Sequence, residues 1–149
     1  MTRTSNEIEI EACAATIYAL ASATERWPEF LPHYRYVRVL ASDGAMRTVE
    51  MGATRDGIPI AWTAEQTNDP KGPSIRFRHV RGWTRGMDVH WRFDRTETGT
   101  RVTIEHRLKF AFPFASDWFG EHIIGNFFVR NVANKTLARM KTLAEAEAR

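Results

Sequence analysis

The sequence has very little cysteine and no long apolar run. Its single cysteine, Cys13, cannot form a disulfide within the chain, which fits a reducing compartment without requiring one. No stretch approaches the ~18 consecutive apolar residues of a transmembrane helix. The N-terminal stretch MTRTSNEIEIE also lacks an apolar core of signal-peptide length. We therefore expect a soluble, cytoplasmic protein.

Basic residues are not concentrated in any part of the chain. There are 21 Lys and Arg against 18 Asp and Glu, a formal net charge of +3, and no basic run or nucleic-acid motif. We therefore expect no nucleic-acid partner. Hydrophobic residues make up 43% of the 149 residues and charged residues 26%, which are globular values. Without repeats or linkers, residues 1–149 are predicted to form one domain.

Hydrophobic periodicity predicts two kinds of element. Residues 6–12 alternate charged and apolar side chains, which predicts a strand with Ile8 and Ile10 facing inward. Residues 14–31 are rich in Ala and Leu and are interrupted by Pro28, which predicts two short helices meeting near Trp27. A long helix is predicted at about 116–146. Between these helices, turn signals separate strands at 36–42, 46–55, 59–68, 74–81, 84–95 and 100–111.

The predicted elements leave a space inside the fold. Two strands, 84–95 and 100–111, alternate clearly, which predicts an antiparallel sheet with one covered face. A sheet of this size twists and curls, so one straight helix cannot fill its concave side. The sequence therefore predicts an α+β fold with an apolar cavity, the usual place for a small-molecule site.

The stretch WPEFLPHY places two prolines three residues apart. Because the residue before a proline is disfavoured in the helical region, Trp27 and Leu31 are expected at breaks. We expect the rigid turn to hold Trp27 and Tyr34 at the mouth of the cavity.

The order of elements, with the stretches WPEFLPHY, VHWRF, GTRVTIEH and LARMKTLAEA, resembles the helix-grip superfamily over essentially the whole chain. That superfamily comprises polyketide cyclases and aromatases, START-type lipid carriers and relatives of the birch allergen. The likeness is to single-domain aromatase/cyclases, and coenzyme-Q-binding proteins have a similar stretch around the two prolines. The resemblance implies a seven-stranded curved antiparallel sheet wrapped on a long C-terminal helix, two short helices after the first strand, and no cofactor.

The resemblance also implies site residues. In the aromatase/cyclases, the Trp of the WPE stretch and the Tyr that follows it line the pocket, and these match Trp27 and Tyr34. The family pattern Trp-x-Ser-x-Arg matches WTAEQ, which keeps Trp62 but has Ala64 and Gln66 in place of Ser and Arg. A glutamine amide can donate a hydrogen bond to a carbonyl, but it lacks the charge that strengthens such a bond.

Strand alternation points to two histidines. His106 lies between Ile104 and Leu108 on the covered face, and His79 shares a face with Phe77. Each is either a pocket group or a hydrogen-bonded core histidine, and the pattern leaves both open. The other strand and loop histidines are expected at the surface or in a turn. The histidines lack metal-ligand spacing, so no metal site is predicted.

Other polar candidates have two interpretations. His122, Asn126 and Arg130 are four residues apart and form one stripe on the predicted helix, facing either the pocket or solvent. Arg55 shares strand parity with inward residues, so it either supplies the charge missing at Gln66 or is solvated beside its turn. The aromatic residues expected to form the pocket wall are Trp62, Phe77 and Trp91.

Together with these residues, the resemblance implies a cyclase, aromatase or dehydratase acting on a polyketide, with an acyl carrier protein as a further partner. The alternative is a carrier of a quinone or lipid, favoured by the apolar segment 109–119; a ligand-sensing module rests on fold analogy alone. Both a monomer and a homodimer fit the sequence. The catalytic candidates are Tyr34, Gln66, His106 and Arg130. The binding candidates are Trp27, Arg55, Trp62, Phe77, His79, Trp91, His122 and Asn126.

Overall fold

A computed structural model describes residues 2–55, 57–82, 84–108 and 132–148. The N-terminal elements are β1 (Thr2–Ile10), α1 (Ala14–Ser22), a 3₁₀ turn (Thr24–Arg26) and α2 (Trp27–Phe30). They are followed by β2 (Tyr34–Asp43), β3 (Met46–Arg55), β4 (Ile58–Asp69), β5 (Ser74–Arg81), β6 (Asp88–Arg95), β7 (Thr100–Leu108) and α3 (Asn134–Ala148).

Within these described ranges, seven strands form one antiparallel, curved sheet in the order β1-β7-β6-β5-β4-β3-β2. Along β5 and β6 buried side chains alternate with more exposed ones, so one face of the sheet is covered and the other faces water. The two strands with the clearest predicted alternation are paired, with Trp91 opposite Ile104. The predicted α+β architecture is confirmed.

Two strands differ most from their predicted bounds: β1 spans Thr2–Ile10 rather than residues 6–12, and β6 starts at Asp88 rather than residue 84. Gly82 and Gly86 both have positive φ, +104° and +94°, a backbone conformation that residues other than glycine rarely adopt. Backbone hydrogen bonds from Gly86 N to the His79 carbonyl and from Met87 N to the Thr84 carbonyl, both 2.9 Å, close a turn there. The chain therefore turns through the first residues of the predicted strand.

The turn between the two prolines differs in one respect from the expectation. Trp27 is helical, with φ −52° and ψ −40°, so the break expected there is wrong. Pro28 occupies the first turn of α2, where its missing N–H is not needed. Leu31 is extended, with φ −116° and ψ 93°, which confirms the second break.

α3 is joined to the end of β1 by polar contacts and buries one apolar face. Lys141 Nζ donates to the Glu9 carbonyl at 2.8 Å, and the Glu11 N–H donates to Glu145 Oε2 at 2.9 Å. Leu137, Met140 and other residues on the apolar face of the helix are buried. The part of the predicted long helix before residue 132 lies outside the described residues. Among those that are described, no helix combines the length and apolarity needed to cross a membrane.

Gly99 allows the β6–β7 turn to approach the end of β1, which gives a test of this packing. A Cβ at this position would overlap the Ile10 carbonyl oxygen and lie 3.0 Å from Ala12 N. Because these are backbone atoms, we expect Gly99→Ala to lower the free energy of unfolding by about 1–3 kcal/mol. Urea unfolding measures this, with the neighbouring exposed Thr98→Ala as control; equal stabilities of the two variants would contradict the packing.

Candidate functional site

A cavity of about 40 Å³ lies between the covered face of the sheet and the start of the C-terminal helical segment. Its walls are mainly apolar and aromatic, with Met51, Val89 and Ile104 from the sheet and Val132 and Ala133 from the helical side. The expected cavity is therefore present. Polar side chains on its described walls are those of Tyr34, His79, His106 and Thr136.

Trp27 lies at the centre of an aromatic cluster. Its ring centroid is 5.0 Å from that of Tyr34, 5.9 Å from Trp91 and 6.1 Å from Phe77. The indole Nε1–H donates to the Leu20 carbonyl at 3.3 Å, and only 2% of the residue is exposed. Trp27 is thus a buried part of the cavity wall, and the expectation that it lies at an open mouth is wrong.

His79 is held in the wall by two neighbours. Its Nδ1 lies 2.7 Å from Thr84 Oγ1, and its ring stacks on Trp62 with centroids 5.6 Å apart and planes at 12°. Burial, with a smaller contribution from the nearby His106, lowers the pKa of His79 to about 3. His79 is therefore neutral at physiological pH.

His106 enters the cavity from β7, where it pairs in register with Val89. Burial lowers the pKa of its imidazole to about 4, so it too is neutral. Both histidines thus belong to the cavity wall. No cluster of three metal-ligating His, Cys, Asp or Glu side chains occurs in the described part of the chain.

Tyr34, the first residue of β2, presents its phenol to the same cavity. Burial raises the pKa of this phenol well above its ordinary value, and a hydrogen bond with the Thr136 side chain offsets part of the increase. The phenol remains protonated at neutral pH and can donate a hydrogen bond.

Gln66 is buried but does not line the cavity, which argues against the expected polarisation of a ligand carbonyl. Its Nε2 donates to the Ser22 carbonyl at 2.9 Å and to Asn68 Oδ1 at 2.8 Å. Its Oε1 accepts from Thr24 Oγ1 at 2.6 Å and, more weakly, from Arg47 Nη2 at 3.4 Å. Both amide hydrogens are therefore used within the protein: one joins the end of α1 to the sheet, and the other bonds to Asn68 on β4 itself.

The remaining candidates divide into two groups. Trp62, Phe77 and Trp91 line the cavity with Trp27. Arg55 ends β3 opposite Ile58, and its side chain lies outside the described part of the structure. Three further candidates also lie outside the described residues: His122, Asn126 and Arg130.

Two residues were not predicted: one lines the cavity, and the other contacts it from outside the cavity. Thr136 lies on the buried face of α3 with Leu137 and Met140, and helical spacing from these residues is the signal that could have identified it. His33, expected only as a loop residue, does lie in the turn before β2 but is 7% exposed. Its Nε2 is 2.9 Å from Thr136 Oγ1, a contact that no local pattern indicates.

Most of the chain matches a known family. Residues 10–141 match the family described as polyketide cyclase / dehydrase and lipid transport. The chain belongs to this family. The match includes α1, α2, all strands from β2 to β7 and most of α3.

Individual proteins are similar to this chain in sequence or in fold. A granaticin polyketide synthase bifunctional cyclase/dehydratase from Streptomyces virginiae is 31% identical over 70 residues, 47% of this chain and 23% of that protein. The match thus spans about a quarter of the curated relative. The Zhui aromatase/cyclase from Streptomyces sp. R1128 has the same fold, with a TM-score of 0.84, 16% identity and coverage of 99% of this chain and 96% of that one. A protein from Thermus thermophilus has a TM-score of 0.80, 21% identity and coverage of 99% and 100%.

The neutral histidines predict a pH dependence of stability. The unfolded chain binds protons near pH 6.5, whereas folded His79 and His106 do so only near pH 3 and 4. The unfolded state therefore binds more protons between these values, and stability falls as pH drops from about 6.5 to 4, by up to ~1.4 kcal/mol per pH unit for each histidine. Urea unfolding across this range measures the slope. NMR titration identifies the histidines, and midpoints near 6.5 would contradict their burial.

The Gln66 network predicts a structural role for this residue. Gln66→Ala removes bonds to Ser22, Thr24 and Asn68 and leaves buried polar groups without that partner, so we expect a loss of about 1–3 kcal/mol in stability. Thermal and urea unfolding measure the loss, with the exposed neighbour Thr67→Ala as control. Unchanged stability with impaired ligand binding would instead assign Gln66 to the site.

Proposed function

We propose that this protein binds a poly-β-ketone or related aromatic precursor in its cavity and promotes aldol cyclisation and dehydration without a cofactor. One observation carries the proposal: an aromatic cavity holds a protonated phenol, Tyr34, and two neutral imidazoles, His79 and His106. Membership of the polyketide cyclase / dehydrase and lipid transport family supports it. The names of the relatives, cyclase/dehydratase and aromatase/cyclase, point the same way.

The reaction makes few demands on the protein. Ring closure requires a folded chain, removal of a proton from a carbon between two carbonyls, and stabilisation of the resulting oxyanion. Holding the reacting atoms in place lowers the barrier by roughly 7–11 kcal/mol, and one oxyanion donor contributes about 3–4 kcal/mol. A shaped cavity with two or three polar groups is therefore sufficient.

The polar groups have complementary roles in this proposal. Tyr34 donates a hydrogen bond to a substrate carbonyl, because its phenol is protonated. His106 accepts the carbon-bound proton, because its imidazole is neutral. Trp62 stacks on His79, whose Nδ1 is held by Thr84, so we assign these residues to positioning. Arg130 lies outside the described residues and is assigned no step.

Substrate size requires the cavity wall to adjust. Pockets for drug-sized ligands measure roughly 300–1,000 Å³, whereas this cavity measures about 40 Å³. Binding a folded polyketide therefore requires more space than the cavity offers in this structure. An acyl carrier protein would present such a substrate, because free poly-β-ketones cyclise spontaneously.

Reconstitution with a minimal polyketide synthase tests the proposed activity. We expect the protein to change the distribution of cyclised products relative to the spontaneous mixture. Tyr34→Phe and His106→Gln should each reduce the change by about 10²-fold or more, the typical contribution of a positioned acid or base. His90→Gln, on the outer sheet face, is the control. Unchanged spontaneous products with several chain lengths would contradict the enzyme proposal.

A second candidate, binding or transport of a hydrophobic molecule such as a quinone or lipid, is favoured by one observation. No charged side chain occurs among the described cavity-lining residues, so those residues bring no formal charge to an enolate. Native mass spectrometry of freshly purified protein would then detect a bound hydrophobic molecule. Tyr34→Phe removes only a hydroxyl group, so this variant should retain the bound molecule. In the reconstituted system, the protein should then leave the product distribution unchanged.

A further inference from the structure

A surface groove of about 680 Å³ lies beside α3, and we call it the α3 groove. Part of its lining is a stripe of α3 residues at helical spacing, namely Lys135, Ala138, Arg139 and Thr142. The rest of its described lining comes from the turn before β2 and from the β3–β4 turn, namely Pro32, His33, Thr54 and Gly57. The groove thus lies where three separate parts of the chain meet.

The α3 groove and the cavity share a wall. His33 lines the groove, Thr136 lines the cavity, and His33 Nε2 is 2.9 Å from Thr136 Oγ1. The turn that carries His33 is fixed to β3, because the Thr54 N–H donates to the His33 carbonyl at 2.8 Å. A group bound in the groove beside His33 is therefore one side chain away from the interior.

The described lining of the α3 groove has positive charge. Lys135 and Arg139 are its cationic residues, and none of the described lining residues is a carboxylate. His33 adds no charge at neutral pH, because burial and, to a smaller extent, the Lys135 ammonium lower its pKa to about 4. The groove is therefore suited to an anionic group.

Both cations have hydrogen-bond donors available. Lys135 makes no hydrogen bond or ion pair with the described residues. The Arg139 Nε–H donates to the Phe30 carbonyl at 3.0 Å, which holds the guanidinium while its two Nη groups make no hydrogen bond within the described chain. Residues four apart on a helix have Cβ atoms about 6 Å apart. One phosphate group can therefore contact both side chains, with charge-assisted hydrogen bonds.

We propose that the α3 groove binds the phosphopantetheine arm of an acyl carrier protein, with Lys135 and Arg139 on its phosphate. The assignment rests on the proposed function, in which a carrier presents the poly-β-ketone as a thioester at the end of this arm. The phosphate joins the arm to the carrier, and the thioester is at the opposite end. Binding of the phosphate in the groove thus leaves the arm to extend along the groove to the wall shared with the cavity.

The composition of the groove favours this arm over a phospholipid. Thr54 and Thr142 contribute hydroxyl groups, which can bond to the two amides of the arm. The Thr142 hydroxyl donates to the Ala138 carbonyl at 3.2 Å, so its oxygen can still accept. Only Pro32 and Ala138 contribute apolar side chains to the described lining, which is little surface for two acyl chains.

The edge of the groove offers a contact for the carrier protein itself. Ile58 follows Gly57 in the β3–β4 turn and is 61% exposed, compared with 54% for Leu40 on β2. An exposed apolar side chain next to charged ones is typical of a protein interface. Different residues would therefore recognise the arm and the protein that carries it.

Two ligands that differ by one phosphate test the site without a substrate. Titration of the ¹⁵N-labelled protein with phosphopantetheine should shift the amide NMR signals of Lys135, Arg139 and Thr142. Pantetheine, which lacks the phosphate, should bind about tenfold more weakly, the effect of one hydrogen bond to a charged group. The carrier protein of a minimal polyketide synthase should likewise bind more tightly in its phosphopantetheinylated form than in its apo form.

Charge-neutral variants identify the residues that bind the phosphate. Lys135→Gln and Arg139→Gln should each weaken phosphopantetheine binding about threefold, as expected of an exposed charge pair, and leave pantetheine binding unchanged. The control is Lys71→Gln, the same change of charge beyond the opposite end of β4. If Arg139→Gln does not fold, Lys135→Gln decides, because it removes no bond to the described residues.

A variant at the edge of the groove separates the carrier protein from its arm. Ile58→Ser should weaken binding of the phosphopantetheinylated carrier and leave binding of free phosphopantetheine unchanged. The control is Leu40→Ser, an equivalent change at another exposed apolar residue.

Three results would overturn the assignment. Equal affinities for phosphopantetheine and pantetheine would remove the phosphate from the site, and wild-type affinity of Lys135→Gln would place it elsewhere. Binding of anionic phospholipid vesicles through both cations, with no binding of the phosphopantetheinylated carrier, would assign the groove to a membrane instead. No poly-β-ketone is present in these measurements. An unchanged product mixture in the reconstituted system would therefore contradict the enzyme proposal and leave the binding result intact.

Discussion

The packing of the Trp27 indole against the covered face of the sheet is the constraint on which the cavity depends. The indole contacts Tyr34 from β2, Phe77 from β5 and Trp91 from β6. Aromatic pairs of this kind contribute about 0.5–1.5 kcal/mol each beyond area burial. Since β2 lies at one edge of the sheet and β6 is four positions away in the strand order, this one side chain joins distant strands. The two prolines make the short α2 turn stiff enough to present it.

Polar networks on either side of Trp27 keep the cavity apolar. On one side, Gln66 bonds to Ser22 and Thr24, so the helical segment is fixed to β4. On the other, Thr136 joins the turn at His33 to the helical side. Buried polar groups are costly unless they are paired. Because these polar groups are paired outside the cavity, the cavity itself is lined mainly by aromatic rings, with one phenol and two neutral imidazoles.

The sequence predicted the fold better than it predicted the site. Period-two alternation identified the covered faces of β6 and β7, and with them His106 and Trp91, because alternate residues of a strand point to opposite faces of the sheet. Alternation does not tell which part of the fold covers a given residue on that face. Trp62 and Gln66 share a face of β4, yet Trp62 lines the cavity and Gln66 lies under the α1–α2 segment. His33 was not predicted because its contact with Thr136 joins residues 103 positions apart.

The neutral electrostatics of the cavity constrain any reaction within it. An imidazolium is not available as an acid at neutral pH, because burial lowers the pKa values of His79 and His106 to about 3 and 4. The protonated phenol of Tyr34 is then the group to which we assign hydrogen-bond donation to a substrate. Tyr34 is on the edge strand β2, whereas His106 is on β7, five positions away in the sheet order. The proposed acid and the proposed base thus come from strands that are far apart in the sheet order, yet both line one cavity.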